Sequence, residues 1–239
     1  MKKVLLYSGG MDSWLMSKLW KPDIKLYVNM HTRYSENEIK KIKSVEDDVT
    51  FVDFPLGQWE RDDAIIPLRN LYLCMVACNM TGSEDVEILL GATAGDRVLD
   101  KSYEFVDKAS NLLSYLYTSQ HWIPEGKKVK ISIAYKDHTK KDLLKEFAQQ
   151  GGDLEEAFTH SFSCYDPMDG HECWSCKPCF RKFVAFACAG YKFPDAIAQK
   201  CCDYIRCEIL PQIEAGTYGR GEEEEQDIIN AYNMYSCKG

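Results

Sequence analysis

The sequence predicts an α/β protein with a doubly wound, mainly parallel sheet, and three observations support this class. Five short apolar runs alternate with five amphipathic stretches, a pattern typical of parallel strands joined by helices. A glycine-rich turn follows the first apolar run, at the edge where such sheets bind ligands. The 239 residues are 45% hydrophobic and 12% aromatic, which suits a soluble protein with a buried core.

Each element of this sheet can be read in order along the chain. The predicted strands are KVLLY (3–7), IKLYVNM (24–30), VTFVDF (49–54), VEILLGAT (86–93) and VKISIA (129–134). Helical periodicity predicts helices over 12–20, 35–45, 69–80, 104–117 and 140–150. The four glutamates at 222–225 are typical of a solvated helix start, because negative charge there complements the helix dipole.

The charge, the apolar runs and the cysteine count argue against several classes of protein. The net charge is 29 minus 37, or −8, which argues against a broad electrostatic grip on nucleic acid. No segment approaches the roughly 18 consecutive apolar residues of a membrane helix. The first apolar run is too short for a signal peptide, so we expect a cytoplasmic protein. The eleven cysteines are an odd number in a large chain, which favours metal-binding thiolates over disulfides.

The stretch YSGGMDS joins the first strand to the first helix. Its two glycines allow a tight turn and close approach of a ligand to the backbone, and its two serines can donate to phosphate oxygens. The helix N-terminus also favours an anion, and Asp12 could hold Mg²⁺ or order the loop. No lysine ends the stretch, so it is not the Walker-type nucleotide loop; an ordinary capped glycine turn is the alternative. The candidate phosphate-binding residues are Tyr7, Ser8, Gly9, Gly10, Met11, Asp12 and Ser13.

The segment SCYDPMDGHECWSCKPC carries the second motif. Cys164, Cys173, Cys176 and Cys179 have the spacing Cys-x8-Cys-x2-Cys-x2-Cys. Four thiolates can complete a tetrahedral zinc site with no open position, which predicts a structural zinc. A [4Fe–4S] cluster also takes four thiolates, and His171 could replace one ligand. The other seven cysteines are expected to be core or otherwise non-ligating residues.

Together the two motifs resemble the QueC family of 7-cyano-7-deazaguanine synthases, in the ATP pyrophosphatase (PP-loop) superfamily. The loop matches the family's Ser-Gly-Gly-x-Asp-Ser pattern, and SCY (163–165) with the later cysteines matches its zinc segment. Four shorter stretches between these motifs, and AFACAGYKFPD (185–195) after them, extend the likeness over about residues 3–195. The matching positions in the four stretches are Pro67, Arg69, Asn70, Gly91, Asp96, Asp100, Glu104, Phe105 and Lys140.

The resemblance implies a Rossmann-like fold of the adenine nucleotide α hydrolase type and a ligase that forms C–N bonds. Such an enzyme converts 7-carboxy-7-deazaguanine and ammonia into the nitrile, using ATP and Mg²⁺ and releasing AMP and pyrophosphate. The implied catalytic residues are Asp12, Arg69 and Lys140. Gly91 joins the loop residues in binding ATP. The implied substrate contacts are Arg69, Asn70, Asp96, Glu104 and Phe105. One structural Zn²⁺ per chain, a cytoplasmic homodimer and no direct contact with nucleic acid or membrane are also implied.

Three departures from the family pattern leave other functions open. Lys101 and Ser102 stand where the family has Cys-Arg, the loop before Pro67 is short, and the family's Asp-Tyr-Gly-Gln-Arg-His segment keeps only Arg33. The alternatives are an enzyme that stops at 7-amido-7-deazaguanine, another PP-loop enzyme with a different substrate, and a nucleotide-binding protein without turnover. We expect a single domain over 1–239, with an ATP-pyrophosphatase core (1–150), a zinc-binding segment (151–197) and a C-terminal extension of unassigned role (198–239).

Overall fold

The computed structural model describes residues 1–63, 65–122, 125–164, 167 and 170–236. The chain forms two compact units, each built from several segments. The first unit comprises Met1–Ser8, Met16–Ala92 and Asp96–Lys136. The second unit comprises Gly9–Leu15, Thr93–Gly95 and Asp137–Gly239. The division into a core, a zinc segment and an extension stays a prediction.

The first unit contains a five-stranded sheet in which every neighbouring pair is parallel. The strand order is β3-β2-β1-β4-β5. The strands are β1 (Lys2–Leu6), β2 (Ile24–Asn29), β3 (Val49–Asp53), β4 (Val86–Leu89) and β5 (Val129–Ser132). The predicted α/β class and all five predicted strands are confirmed. These strands were recognisable in the sequence because buried parallel strands are short continuous apolar runs.

The order in which the chain adds strands to the sheet reverses between β1 and β4. The chain moves outward from β1 through β2 to β3, and then returns to place β4 on the other side of β1. Leu5 of β1 is in register with Leu89 of β4, so Tyr7 and Gly91 each lie two residues beyond this pair. The carboxyl edge at such a reversal is where open α/β sheets bind ligands.

Four helices follow the first strands, and their bounds agree with the sequence periodicity. They are α1 (Met11–Trp20), α2 (Ser35–Val45), α3 (Arg69–Met80) and α4 (Tyr103–Leu116). In the first unit α3 packs on the sheet and α4 packs against β5. The buried core that they share with the strands includes Val4, Leu26, Cys74, Ala77, Cys78, Ile88, Ala109, Leu113 and Ile131. Burial of this apolar surface is the main source of stability in the first unit.

The described part of the second unit is helical. Its helices are α5 (Lys140–Gln149), α6 (Leu154–His160), α7 (Lys177–Cys188), α8 (Asp195–Tyr204), α9 (Leu210–Glu214) and α10 (Glu222–Ser236). A π-helical turn, Ile205–Ile209, joins α8 to α9. α7 packs against α5, α8 and α10 and buries Phe180, Phe183 and Phe186. α10 begins at the first of the four glutamates, as predicted. No helix in the described ranges is both long and apolar enough to cross a membrane.

Candidate active site

The glycine-rich loop is fixed by its own backbone and by its neighbours in the second unit. Gly9 has a φ of 70°, a left-handed conformation that favours glycine. The Gly9 carbonyl accepts a hydrogen bond from the amide of Phe162 (2.9 Å). The Gly10 carbonyl accepts from the Ser13 hydroxyl (3.1 Å) and from the Trp14 amide (2.9 Å), which begins α1. The second half of the loop is therefore an ordered turn that leads directly into a helix N-terminus.

Asp12 and Lys140 are 128 residues apart in the sequence and form an ion pair in the second unit. Each side chain is 26% exposed. The ammonium donates to Oδ2 of Asp12, while Oδ1 is buried and has no hydrogen-bond partner among the described residues. A buried carboxylate oxygen without a partner is energetically costly, so this atom is suited to a further cation or donor.

The position of Lys140 is set by the start of α5. Thr139 caps this helix by accepting from the amide of Asp142 (3.2 Å), and the Asp142 carboxylate accepts from the Thr139 amide (2.9 Å). This reciprocal capping box fixes the first turn, and Lys140 is the first helical residue. The predicted residues Asp12 and Lys140 are thus brought together by two helix N-termini.

The first half of the loop belongs to the first unit. Tyr7 is buried, and its amide donates to the Leu26 carbonyl (2.8 Å), which continues the pairing of β1 with β2. Burial raises the pKa of the Tyr7 hydroxyl, so it stays protonated at physiological pH. At Gly91, after β4, an added Cβ would meet no atom within 4 Å. There is open space beside the Gly91 backbone at this edge of the sheet.

Arg69 and Asn70 begin α3, directly after Leu68 in a left-handed conformation (φ 60°). Asn70 is buried, and its amide nitrogen donates to the Asp100 carbonyl (3.3 Å). Arg69 lies close enough to Glu38 for its charge to act on that carboxyl group. Burial raises the pKa of Glu38 to about 7, although the Tyr27 hydroxyl and Arg69 both oppose the rise.

Asp96 has two lysine partners within the first unit. Its carboxylate pairs with Lys101 (2.9 Å), and its backbone carbonyl accepts from the Lys136 ammonium. Ser102 caps α4 by accepting from the amide of Phe105 (3.1 Å). The two residues that depart from the QueC pattern therefore have structural roles here, as a counterion and as a helix cap.

Glu104 and Phe105 have contacts of a different kind. Glu104 is exposed on α4 and pairs with Lys108 one turn later (2.6 Å). Hydrogen bonding to Lys108 lowers the pKa of Glu104. Phe105 is partly buried and packs against the apolar core of the first unit. Among the described residues, none of these contacts joins Glu104 or Phe105 to Arg69 or Asn70, and their predicted role in substrate binding stays a prediction.

The four predicted cysteine ligands lie together in the second unit. The sulfur atoms of Cys164, Cys173, Cys176 and Cys179 are all within 4.8 Å of one another. A tetrahedral zinc ion with bonds of about 2.3 Å needs sulfurs roughly 3.8 Å apart, so a small contraction would suffice. The amide of Cys173 donates to the Cys164 sulfur (3.3 Å), as expected around a thiolate ligand.

The pKa of the thiols in this cluster depends on whether a cation is bound there. Hydrogen bonding to the Cys164 and Cys176 side chains, together with burial, raises the pKa of Cys179. A bound cation would reverse this penalty, because metal binding replaces protons on thiols. His171 is exposed and is not part of the four-cysteine group. The donor set and its closeness suit a zinc ion.

The remaining cysteines vary in burial. Cys74 and Cys78 belong to the apolar core of the first unit, where burial raises the pKa of Cys78 to about 11. Cys201 and Cys202 are buried in α8, Cys188 is partly buried and Cys207 is exposed. Tyr165, the third residue of the SCY motif, and Cys237 lie outside the described residues.

The parallel sheet, the loop after its central strand and the cysteine cluster define a PP-loop α/β protein with a zinc-type cysteine site. The model of the family described as "Queuosine biosynthesis protein QueC" matches residues 57–190, which is more than half of the 239 residues. The chain belongs to the QueC family.

Several curated relatives share one name, 7-cyano-7-deazaguanine synthase. The protein from Pseudoalteromonas translucida is 26% identical over 220 residues, covering 77% of this chain and 93% of the relative. The protein from Psychromonas ingrahamii is 24% identical over 228 residues, covering 82% and 97%. One of two from Colwellia psychrerythraea is 24% identical over 219 residues, covering 77% and 93%. The chain is therefore similar to these synthases over nearly their whole length.

Sequence reasoning missed three charged groups near the predicted residues. Glu38 lies on an amphipathic helix that gave no sign of its burial. Glu172 directly precedes Cys173. Lys182 follows Cys179 by three residues and directly precedes the apolar stretch FVAFA (183–187). A lysine within a helix that buries eight residues was the available signal, because charged residues are almost never fully buried unless paired.

Proposed function

We propose that this chain is a ligase that converts 7-carboxy-7-deazaguanine and ammonia into 7-cyano-7-deazaguanine, with ATP converted to AMP and pyrophosphate. Family membership and the shared name of the relatives support the class of enzyme. The observation that carries the proposal is the pairing of Asp12 with Lys140 at the N-terminus of α1, directly after the glycine turn.

The chemistry requires activation of the same carbon twice. A carboxylate oxygen is a poor leaving group, so the first ATP adenylates it with release of pyrophosphate. Ammonia then displaces AMP and leaves the amide. A second ATP activates the amide oxygen, and loss of AMP together with the amide protons gives the nitrile. Two ATP are consumed for each nitrile, and both carboxylate oxygens depart on AMP.

The second half of the loop and the start of α1 are suited to binding the pyrophosphate part of ATP. A helix N-terminus presents amide groups and a favourable dipole to phosphate oxygens. Lys140 is already close to this turn through Asp12, so its ammonium can neutralise charge that develops on the leaving pyrophosphate. The proposed catalytic role of Arg69, at the start of α3 in the first unit, rests on the family resemblance. These groups act by positioning and by preorganised charge, with no covalent intermediate on the protein.

Asp12 would hold Mg²⁺, which when bound supplies positive charge to the phosphate oxygens. The buried Oδ1 atom, which has no hydrogen-bond partner in the described part of the chain, supports this assignment, because it offers one oxygen ligand while Oδ2 stays paired with Lys140. The cysteine cluster would hold zinc as a structural ion, since four thiolates leave no position for substrate.

The proposed substrate contacts differ in how well the structure supports them. Asn70 is buried and oriented by Asp100, so its side chain has a fixed direction. Asp96 is charge-compensated by Lys101. Gly91 is proposed to contact ATP, and the open space beside its backbone is consistent with that role. A cytoplasmic homodimer remains part of the proposal on the family resemblance alone.

Mass spectrometry of the product tests the function. The full-length protein is incubated with 7-carboxy-7-deazaguanine, ATP, Mg²⁺ and ammonium, and the nitrile is the expected product. The amide alone would indicate an enzyme that stops after one adenylation. Absence of any product would contradict the proposal.

Asp12→Ala is the control for the loop. It removes the partner of Lys140 and the proposed Mg²⁺ ligand, so we expect at least a 10²-fold loss of product formation. The variant should keep its zinc, since the cysteine ligands are unchanged. Unaltered product formation by Asp12→Ala would contradict the assignment of the loop.

A further inference from the structure

Lys182 on α7 is a charged residue that the proposed reaction does not use. Its side chain is 0% exposed. The ammonium donates to the carbonyls of Phe158 (3.0 Å) and Ser161 (2.7 Å) and to Oε2 of Glu172 (2.8 Å). Three donors thus have three acceptors, as a buried ammonium requires. The carbonyls lie at the end of α6, so Lys182 caps that helix and pairs with a carboxylate at the same time.

Glu172 joins the two chain segments that carry the first two cysteine ligands. Its Oε1 atom accepts from the amide of Ser163 (2.7 Å), the residue before Cys164. Glu172 itself precedes Cys173, whose amide donates to the Cys164 sulfur (3.3 Å). Two hydrogen bonds in opposite directions therefore hold these segments side by side. This arrangement fixes the separation of the first two ligands.

The other two ligands are on the helix that carries Lys182. Cys176 is the N-cap of α7 and Cys179 lies in its first turn, three residues before Lys182. Because Lys182 binds Glu172, the helix with two ligands is tied to the segments with the other two. One buried charge pair thus connects all three segments of the four-cysteine cluster.

Trp174, between the second and third ligands, gives independent support. Its φ of 60° is a left-handed conformation that is costly for a bulky residue and needs support from its surroundings. Its ring stacks on Phe158, with centroids 5.6 Å apart and an interplanar angle of 17°. The Lys182 ammonium lies 4.9 Å from the Phe158 ring and 5.7 Å from the Trp174 ring. The same cation therefore helps to hold the strained turn between ligands.

We infer that Lys182, acting through Glu172, is a positioning residue for the metal centre and raises its affinity for zinc. Partners that orient metal ligands typically contribute a factor of about 10–100 in affinity. The pair arranges the thiols before the metal arrives, so less ordering remains to oppose binding. This inference rests on the zinc site of the proposed function and is independent of the reaction.

Lys127 in the first unit offers a matched control. It is also buried, and its ammonium donates to the Gly82 carbonyl (2.7 Å), the Thr81 hydroxyl (3.1 Å) and the Cys78 carbonyl at the end of α3. Both lysines cap a helix from a buried position, but these partners of Lys127 all belong to the first unit, whereas the four-cysteine group belongs to the second. If Lys182 had a purely structural role, substitution of either lysine would have a similar effect on zinc affinity.

The test compares zinc binding by full-length wild type, Lys182→Met and Lys127→Met. Affinity is measured by competition with a chromophoric zinc chelator, and circular dichroism confirms that each protein is folded. We expect Lys182→Met to bind zinc about 10–100-fold more weakly than wild type. Lys127→Met should lose stability and keep the wild-type zinc affinity. Equal zinc affinity in all three proteins would overturn the inference.

If Lys182→Met does not fold, Glu172→Gln tests whether the Glu172–Lys182 pair raises zinc affinity. It keeps the shape of the side chain and an acceptor for the Ser163 amide, and removes only the charge that pairs with Lys182. We expect weaker zinc binding and an altered sulfur-to-cobalt charge-transfer band after Co²⁺ substitution. Wild-type values for both would overturn the inference. A wild-type protein that binds no zinc at all would refute the metal centre itself, a result distinct from a loss limited to the variants.

Discussion

The two units of the molecule are stabilised in different ways. The first has a continuous apolar core of strands and helices, with Val4 and Ile88 completely buried in its central strands. The second places four sulfur atoms within 4.8 Å of one another and buries the Glu172–Lys182 pair beside them. An apolar core tolerates local change as long as volume is kept, whereas a polar cluster depends on each member. Single substitutions and metal removal should therefore lower the stability of the second unit more than that of the first.

Metal removal should separate the two units most clearly. We expect chelation, or Cys176→Ser, to remove zinc and to cost the second unit several kcal/mol, because structural zinc contributes directly to folding. Hydrogen exchange should show faster exchange in the amides of α7, while those of β1 and β4 keep their protection. Cys207→Ser, which changes an exposed cysteine outside the cluster, is the control. Full protection of α7 after zinc loss would contradict the contrast between units.

Adjacent lysines at the start of α5 test function against structure within the second unit. Lys140 pairs with Asp12, while Lys141 pairs with Asp227 (2.9 Å) and Glu223 (3.3 Å) of α10. We expect Lys140→Ala to lower kcat about 10²–10³-fold, because a preorganised charge near the phosphates is lost. Lys141→Ala should instead lower the unfolding free energy by about 3 kcal/mol, because Asp227 is left without its partner.

Steady-state kinetics and urea denaturation of both lysine variants measure these effects. Burial on its own would lower the pKa of Lys141. The ion pairs with Asp227 and Glu223 outweigh burial and raise this pKa, in keeping with a stabilising role. A larger loss of kcat in Lys141→Ala than in Lys140→Ala would reverse the assignment of the two residues.

The smallest expected effect is a pH dependence in the first unit. Burial raises the pKa of Glu38 from an ordinary 4.5 to about 7. The folded state then binds this proton more tightly than the unfolded state, so stability falls as pH rises from about 4.5 to about 7. Glu38→Gln removes this dependence. We expect it to gain at most about 3 kcal/mol relative to wild type across that window.

Urea denaturation at a series of pH values checks the Glu38 prediction. Below the ordinary pKa the carboxyl is protonated in both states, so the two proteins should then differ least. Parallel stability profiles for wild type and Glu38→Gln would contradict the raised pKa. Two groups face the Glu38 carboxyl and limit the rise of its pKa. The Tyr27 hydroxyl donates to it (2.8 Å), and Arg69 acts on it through its positive charge.

The first unit was largely predictable from the sequence. Its strands are short apolar runs and its helices have a clear period, so α2 and α3 begin and end at the predicted residues. The cysteine cluster was also predictable, because ligand spacing is a local pattern. In both cases the signal lies within about twenty neighbouring residues.

The second unit was less predictable because its key contacts join distant segments. Asp12 and Lys140 were each identified as candidates, but 128 residues separate them and nothing local indicates their pairing. The partners of Lys182 at Ser161 and Glu172 depend on how α6, the cysteine segment and α7 pack. The stretch from α6 to α9 mixes short helices with cysteine-rich loops, so no long period marks it.

The most direct measurement counts the AMP released per molecule of product formed by the full-length protein from 7-carboxy-7-deazaguanine, ATP and ammonium. Two successive adenylations predict two AMP for each nitrile, with activity lost in Asp12→Ala. A nitrile formed with any other AMP ratio, or substrate conversion without AMP release, would contradict the proposed function of the loop.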